Sequence, residues 1–186
     1  MIAATMDSDG KILHLNDSHG IKYGELDDPT SARIEKIDAM FKPANCKSEA
    51  SQQIRKDMWE KWVMISSLAA LTTLMRANVG EVARAPGGKE IANKLFHECL
   101  SVAKAYDCEA NATFIESMGN RLSDPTSTLA ASMCRDVENG NDVESDQIIG
   151  DLIERARARG VNVPLLELVY CNLKAYEIHR EAQLKK

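Results

Sequence analysis

The chain has 186 residues, enough to bury a sizeable hydrophobic core without disulfide bonds. Its 44% hydrophobic and 27% charged residues are typical of a globular protein and argue against disorder. A net charge of −5 argues against a protein that binds nucleic acid or anionic membranes, because both partners attract basic surfaces. With only 5% aromatic residues, the chain also has few side chains on which bases could stack.

The first quarter of the chain contains short apolar runs separated by turn residues, which predict two or three small strands. The predicted strands are residues 2–6, 11–15 and 20–24. The Asp9-Gly10 pair between the first two tolerates positive φ and predicts a hairpin. Pro29 is predicted to open a helix with one apolar stripe, and Pro43 to end it.

Helical periodicity dominates from residue 49 onward. Apolar residues at steps of three and four predict one long helix that reaches residue 78, with Gly80 as its terminator. Pro164 is predicted to occupy the first position of the last helix. Shorter helices are predicted at residues 81–84, 89–106, 111–121 and 143–159, and one more follows a loop at 124–127 and ends near residue 136. The chain is therefore predicted to be mainly α, a helical bundle preceded by a few short β-strands.

Cysteine and histidine usage predicts neither a disulfide framework nor a metal site. The five cysteines include no C-x-x-C pair, and the four histidines are scattered. The apolar window 62–75 is too short and too interrupted to span a membrane, and the N-terminus lacks the features of a signal peptide. We therefore expect a soluble cytoplasmic protein with reduced, mostly buried thiols.

Three polar residues are candidates for chemistry, and each also has a purely structural interpretation. Lys61 lies among apolar neighbours on the long helix, where partial desolvation eases proton donation, but its spacing alone favours a surface lysine that covers them. Glu144 could complete a capping box begun by Asn141. Ser132, taken alone, is a serine in a helix. The glycine pair 87–88 is not part of a dinucleotide-binding motif and is interpreted as a connection between helices.

The order and spacing of several motifs are more specific than any single residue. They resemble the C-terminal half of ketopantoate reductases (2-dehydropantoate 2-reductases). Those enzymes carry a W-x-K helix that leads into A-L-T, and an S-M-x-x-D turn with a glutamate twelve residues after the serine. A G-V-x-x-P junction precedes their last helix. The opening segments D-G-K-I-L-H and I-K-Y-G-E also resemble the later strands of that family's nucleotide-binding half. The matching segments are residues 9–14, 21–25, 58–62, 68–72, 132–136 with Glu144, and 160–164.

The resemblance implies an oxidoreductase of pantothenate biosynthesis that reduces a small 2-keto acid with NADPH. Lys61 matches the lysine that protonates the carbonyl oxygen as general acid. Glu144 matches the glutamate that hydrogen-bonds the substrate hydroxyl, and Ser132 matches a serine that helps to hold the substrate. The implied fold is the helical domain also found at the C-terminus of 6-phosphogluconate dehydrogenases, and the implied assembly is a homodimer.

The chain departs from the family pattern in two ways. Ile65 and Ala69 stand where the family usually carries substrate-binding asparagines, so ketopantoate should bind poorly. The glycine-rich NADP-binding half is missing: residues 1–48 resemble only its tail, and residues 49–186 the substrate-binding and dimerisation domain. We therefore expect this chain alone to be inactive. The alternative is a non-catalytic helical dimerisation or interaction module descended from such a reductase.

Overall fold

A computed structural model describes residues 2–7 and 9–185 of the chain. The chain divides into two compact units, Met1–Met58 and Trp59–Lys186. The first unit contains the strands and one helix, and the second contains most of the helices, as the mainly α prediction requires. No helix in the described ranges is both long enough and apolar enough to cross a membrane.

The first unit is built on a three-stranded sheet in the order β1-β2-β3. Its strands are β1 (Ile2–Met6), β2 (Ile12–Tyr23) and β3 (Lys47–Ala50). β1 and β2 form the predicted antiparallel hairpin, with Met6 opposite Ile12. Its turn is closed by the Asp7 carboxylate, which accepts the backbone N–H of Lys11 at 2.9 Å, while Gly10 adopts a φ of +78°. The Asp-Gly signal is therefore confirmed.

Three details of the first unit differ from the prediction. The predicted strands at 11–15 and 20–24 are one continuous strand, β2. β3 was not predicted, because its short sequence is polar and it pairs in parallel with β2 from far along the chain. Helix α1 (Ala32–Phe41) begins after Ser31 rather than at Pro29, because the Ser31 hydroxyl accepts the Ile34 N–H and so caps the helix.

Helix α2 (Ile54–Met75) is the long helix that the periodicity predicted. The remaining helices are α3 (Val79–Arg84), α4 (Gly88–Ala105), α5 (Ala112–Leu122), α6 (Ser132–Glu138), α7 (Asp151–Ala158) and α8 (Pro164–Leu184). A π-helical segment, Asp146–Gly150, runs directly into α7. The fully buried side chains of the second unit come from most of these helices and include Val63, Leu71, Phe96, Leu152 and Leu166. This shared burial is the main stabilising contribution to the bundle.

Two helix boundaries correct the sequence interpretation. Gly80 does not terminate α2 but lies inside α3, where Asn78 and Glu81 form a capping box. A Cβ at Gly80 would lie 2.5 Å from the Ser127 carbonyl oxygen, so the glycine permits a close approach between α3 and the loop before α6. That loop runs longer than predicted, and α6 begins only at Ser132. Pro164 does occupy the first turn of α8, as predicted.

The thiols follow the expected pattern in part. Cys99, Cys108 and Cys134 are buried, Cys46 is half-buried and Cys171 is exposed. Burial raises the pKa of the Cys99 thiol to about 12, which keeps it protonated and unreactive at neutral pH.

Candidate functional site

Helix α2 places Lys61 on an exposed face of the second unit. Helical spacing puts Ile65, Leu68 and Thr72 on the same face as Lys61. Ile65 and Leu68 are partly buried, and Thr72 is fully buried. Within the described chain, no hydrogen bond or ion pair engages the Lys61 side chain. Its ammonium group is therefore available to a ligand that approaches this face.

Helix α6 packs against the far end of the same face. The backbone N–H of Ala131 donates to Thr72 Oγ1 at 3.2 Å, and Cys134 Sγ donates to the Thr72 carbonyl oxygen at 3.2 Å. Ser132, the first residue of α6, is exposed next to these contacts. Since Thr72 follows Lys61 by three helical turns, about 16 Å separate the two backbone positions along the axis.

Glu144 lies just before the π-helical segment and is exposed. Its backbone carbonyl accepts the N–H of Ile148 at 3.1 Å. The capping-box interpretation of this residue is wrong, because the helix begins only at residues 145–146 and the Asn141 side chain instead faces Asp136, with 3.4 Å between Nδ2 and Oδ1. Glu144 therefore presents a carboxylate that no capping bond occupies.

Lys61 lies on α2, and Ser132 and Glu144 lie on segments that contact α2, but no bond joins the three side chains. No hydrogen bond or ion pair among the described residues joins Lys61, Ser132 and Glu144. Two cavities among the described residues, of about 300 and 430 Å³, lie away from them, one along α4 and α5 and the other along α4 and the start of α8. The role of these residues in a common site stays a prediction.

Sequence reasoning missed the residues that tie Glu144 to α2. Trp62 Nε1 donates to the Ile148 carbonyl oxygen at 3.1 Å, and Ser66 Oγ donates to the same oxygen at 3.0 Å. The Trp62 ring also contacts Trp59 in a tilted arrangement, with 5.1 Å between ring centroids, and the Arg155 guanidinium lies 5.2 Å from its centroid. The available signal was the presence of hydroxyl residues within the most apolar stretch of α2, since a buried hydroxyl needs a partner.

The segment after Glu144 is also bonded to α8. The buried Ser145 hydroxyl donates to the Glu177 carboxylate. Tyr170 donates its hydroxyl to Asp146 Oδ1 at 2.7 Å, and Lys174 donates to both oxygens of that carboxylate. The Tyr170 hydrogen bond, followed by that of Lys174, lowers the pKa of Asp146 below its usual value.

The glycine pair and the metal-ligating side chains are the described features that bear on cofactor and metal binding. Gly87 and Gly88 join α3 to α4, and a Cβ on Gly88 would lie 1.7 Å from the Val82 carbonyl oxygen, so the pair serves helix packing rather than phosphate binding. No group of three or more metal-ligating side chains was found in the part of the chain that the structure describes.

Comparison with known proteins identifies the family. Residues 53–177 match the family model described as the C-terminal domain of ketopantoate reductase PanE/ApbA. The chain is 30% identical over 179 residues to the uncharacterized oxidoreductase YkpB of Bacillus subtilis, covering 96% of this chain and 59% of that protein. It is 28% identical over 150 residues to the 2-dehydropantoate 2-reductase of Archaeoglobus fulgidus, covering 78% of this chain and 50% of that protein. The chain thus spans three fifths or less of the length of these relatives.

Solved structures share the fold at lower sequence identity. A PanE/ApbA family ketopantoate reductase from Ralstonia eutropha superposes with a TM-score of 0.83 at 19% identity, covering 97% of this chain and 58% of that one. A dimeric ketopantoate reductase from Staphylococcus aureus gives a TM-score of 0.82 at 17% identity, covering 97% and 60%. Together with the match over residues 53–177, these findings show that the chain belongs to the ketopantoate reductase family, in the part that forms its helical C-terminal domain.

Proposed function

We propose that this chain is the substrate-binding part of an NADPH-dependent reductase of 2-keto acids in which Lys61 is the general acid. The observation that carries the proposal is the exposed Lys61 ammonium, which lies without an internal partner on the α2 face that also receives the helix of Ser132. We place the nucleotide-binding region outside residues 49–186.

In the proposed reaction, the keto group becomes a secondary alcohol. NADPH supplies the two electrons as hydride when it is bound. Lys61 donates the proton to the carbonyl oxygen, and its positive charge stabilises the negative charge that develops on that oxygen. Glu144 accepts a hydrogen bond from a substrate hydroxyl, and Ser132 donates one to the substrate, so these two residues fix its orientation.

The substrate we propose presents an apolar substituent to α2. Ile65 and Leu68 follow Lys61 on its face and are partly buried, while Ala69 is almost fully buried. None of these side chains offers a hydrogen bond, so a polar substituent there would lose its water without gaining a partner. We therefore expect 2-keto acids with apolar side chains to react better than ketopantoate.

Replacement of Lys61 tests the proposal on the longest gene product that contains this chain. NADPH oxidation is measured with a panel of 2-keto acids that includes ketopantoate. We expect Lys61→Ala to reduce kcat about 100-fold or more, the usual effect of removing a general acid. Lys56→Ala is the matched control, because Lys56 lies on the opposite side of α2 and should be silent.

Unchanged turnover in Lys61→Ala would remove Lys61 from the mechanism. If the longest gene product neither binds NADPH nor oxidises it with any 2-keto acid, the non-catalytic interaction module becomes the better interpretation. The DNA upstream of Met1 offers a direct check, because an in-frame strand followed by G-x-G-x-x-G would encode the proposed nucleotide-binding region. We also propose a cytoplasmic homodimer, on the precedent of the dimeric reductase from Staphylococcus aureus.

A further inference from the structure

The π-helical segment that follows Glu144 has an unusual hydrogen-bonding pattern. The backbone N–H of Asp151 donates to the carbonyl oxygen of Asp146, five residues earlier, as a π-helical turn requires. Such turns are rare and often lie near functional sites. At the end of the segment, Gly150 lets the Tyr170 ring of α8 come close, since a Cβ there would lie 3.1 Å from the ring.

Two side chains of α2 converge on one carbonyl of this segment. The Ile148 oxygen accepts both the Trp62 indole N–H and the Ser66 hydroxyl, which are more than 80 residues away in sequence. Ser66 is fully buried, so its hydroxyl has no access to water and depends on this bond. Trp62 directly follows Lys61 in the chain, so its bond to Ile148 reaches α2 at the helical turn that carries the proposed general acid, about 100° around the helix axis from it.

The same segment controls the backbone position of Glu144. The Glu144 carbonyl accepts a hydrogen bond from the Ile148 N–H. Ile148 is therefore bonded both to α2, through its carbonyl, and to Glu144, through its N–H. The next residue, Ser145, is 1% exposed and bonds to Glu177 of α8. The exposed carboxylate of Glu144 thus projects from a backbone that is fastened to α2 on one side and to α8 on the other.

We infer that Ser66 is a positioning residue, which sets the place of the Glu144 carboxylate relative to Lys61 through its hydrogen bond to Ile148. The inference rests on the proposed function and extends it to a buried residue that touches no substrate. Without the Ser66 hydroxyl, the Ile148 carbonyl loses one of its two side-chain donors from α2, and the turn that carries Glu144 is held less firmly. A small displacement of a substrate-binding group weakens binding strongly.

The neighbouring residue Ser67 provides a matched control. Ser67 is equally buried, but its hydroxyl donates to the Val63 carbonyl within α2 itself, at 2.7 Å. Ser66→Ala and Ser67→Ala therefore delete the same atom from the same helix, and only the first deletes a bond to the Glu144 segment. In the longest gene product, we expect Ser66→Ala to raise the KM for the 2-keto acid about tenfold, with the KM for NADPH unchanged, and Ser67→Ala to leave both constants as they are.

A double-mutant cycle separates positioning from general structural damage. If Ser66 acts through Glu144, Ser66→Ala should have little further effect on the KM once Glu144→Gln has weakened the substrate contact. An equal increase in KM with and without Glu144→Gln would overturn the inference. So would a KM that Ser66→Ala does not change.

A readout that needs no activity distinguishes failure of this inference from failure of the proposed function. Hydrogen exchange at the Ile148 amide reports whether its bond to Glu144 opens. We expect faster exchange in Ser66→Ala than in Ser67→Ala, measured on the chain itself. Faster exchange in a protein without reductase activity would support the coupling and contradict only the proposed function. Equal exchange in the two variants would overturn the coupling itself.

Discussion

Gly88 and Gly119, in two neighbouring helices, differ in the space around their Cα atoms. A Cβ on Gly88, at the start of α4, would lie 1.7 Å from the Val82 carbonyl oxygen, whereas a Cβ on Gly119, inside α5, would meet no atom within 4 Å. Gly88→Ala should therefore destabilise the protein by about 2 kcal/mol or more, because backbone must move. Gly119→Ala should stabilise it by about 0.5–1 kcal/mol, because glycine is a poor residue in a helix interior.

Denaturation by urea measures both changes in the free energy of unfolding. Each variant serves as the control for the other, since both add one methyl group at a helical glycine. Equal effects of the two substitutions would show that the close approach between α3 and α4 does not exist in solution.

Single residues also mark the limit of what the sequence could predict about the candidate site. Lys61, Ser132 and Glu144 were found from local motifs, whose spacing is visible in the chain. Ser66 was visible only as a hydroxyl in an apolar stretch, because its partner Ile148 lies 82 residues away. A bond of this kind depends on how helices pack, which helical periodicity does not specify.

At the scale of elements, periodic patterns predicted the long helices well. α2 follows from apolar residues at steps of three and four, and Pro164 correctly predicted the start of α8. Elements without a local pattern were missed: β3 is short and polar and exists through its pairing with β2. Gly80 was misinterpreted as a helix end because its actual role, the close approach to Ser127, is a tertiary contact.

The hydrogen bonds between the π-helical segment and α8 predict a pH-dependent stability. Asp146 has a lowered pKa, first because Tyr170 donates a hydrogen bond to its carboxylate and then because of Lys174. A lowered native pKa means that the stabilisation is present above the unfolded-state value of about 3.9 and is lost as the pH falls from there toward the native pKa. Tyr170→Phe should raise the pKa of Asp146 toward its ordinary value and flatten the loss of stability below about pH 4.

Carboxyl titration by NMR measures the Asp146 pKa directly, and urea denaturation between about pH 3 and 6 measures the stability. Asp146→Asn is the companion variant, because it removes the titrating group itself and should flatten the same part of the profile. A pKa of Asp146 that stays equally low in Tyr170→Phe would show that Tyr170 is not the main cause.

At the scale of the whole molecule, the two units differ in how their sequences match the family. The model of the C-terminal domain matches residues 53–177, which cover nearly all of the helical unit and only the end of the strand-containing unit. The relative from Bacillus subtilis nevertheless aligns over 96% of the chain. The sequence of the first unit is therefore also similar to that of a relative, of which this chain covers 59%.

A measurement of NADPH binding tests the proposal that the nucleotide is bound outside this chain. NADPH fluorescence is titrated with the 186-residue chain and, in parallel, with the longest gene product that contains it. We expect no saturable change with the chain at micromolar protein, because its described residues provide no phosphate-binding turn, and a saturable change with a longer product that carries one. The only two tryptophans, Trp59 and Trp62, lie on α2 beside Lys61, so their quenching by nucleotide gives a second, independent signal near the proposed site. Saturable binding by the chain alone would place the nucleotide site within these residues and contradict the assignment of NADPH binding to another region.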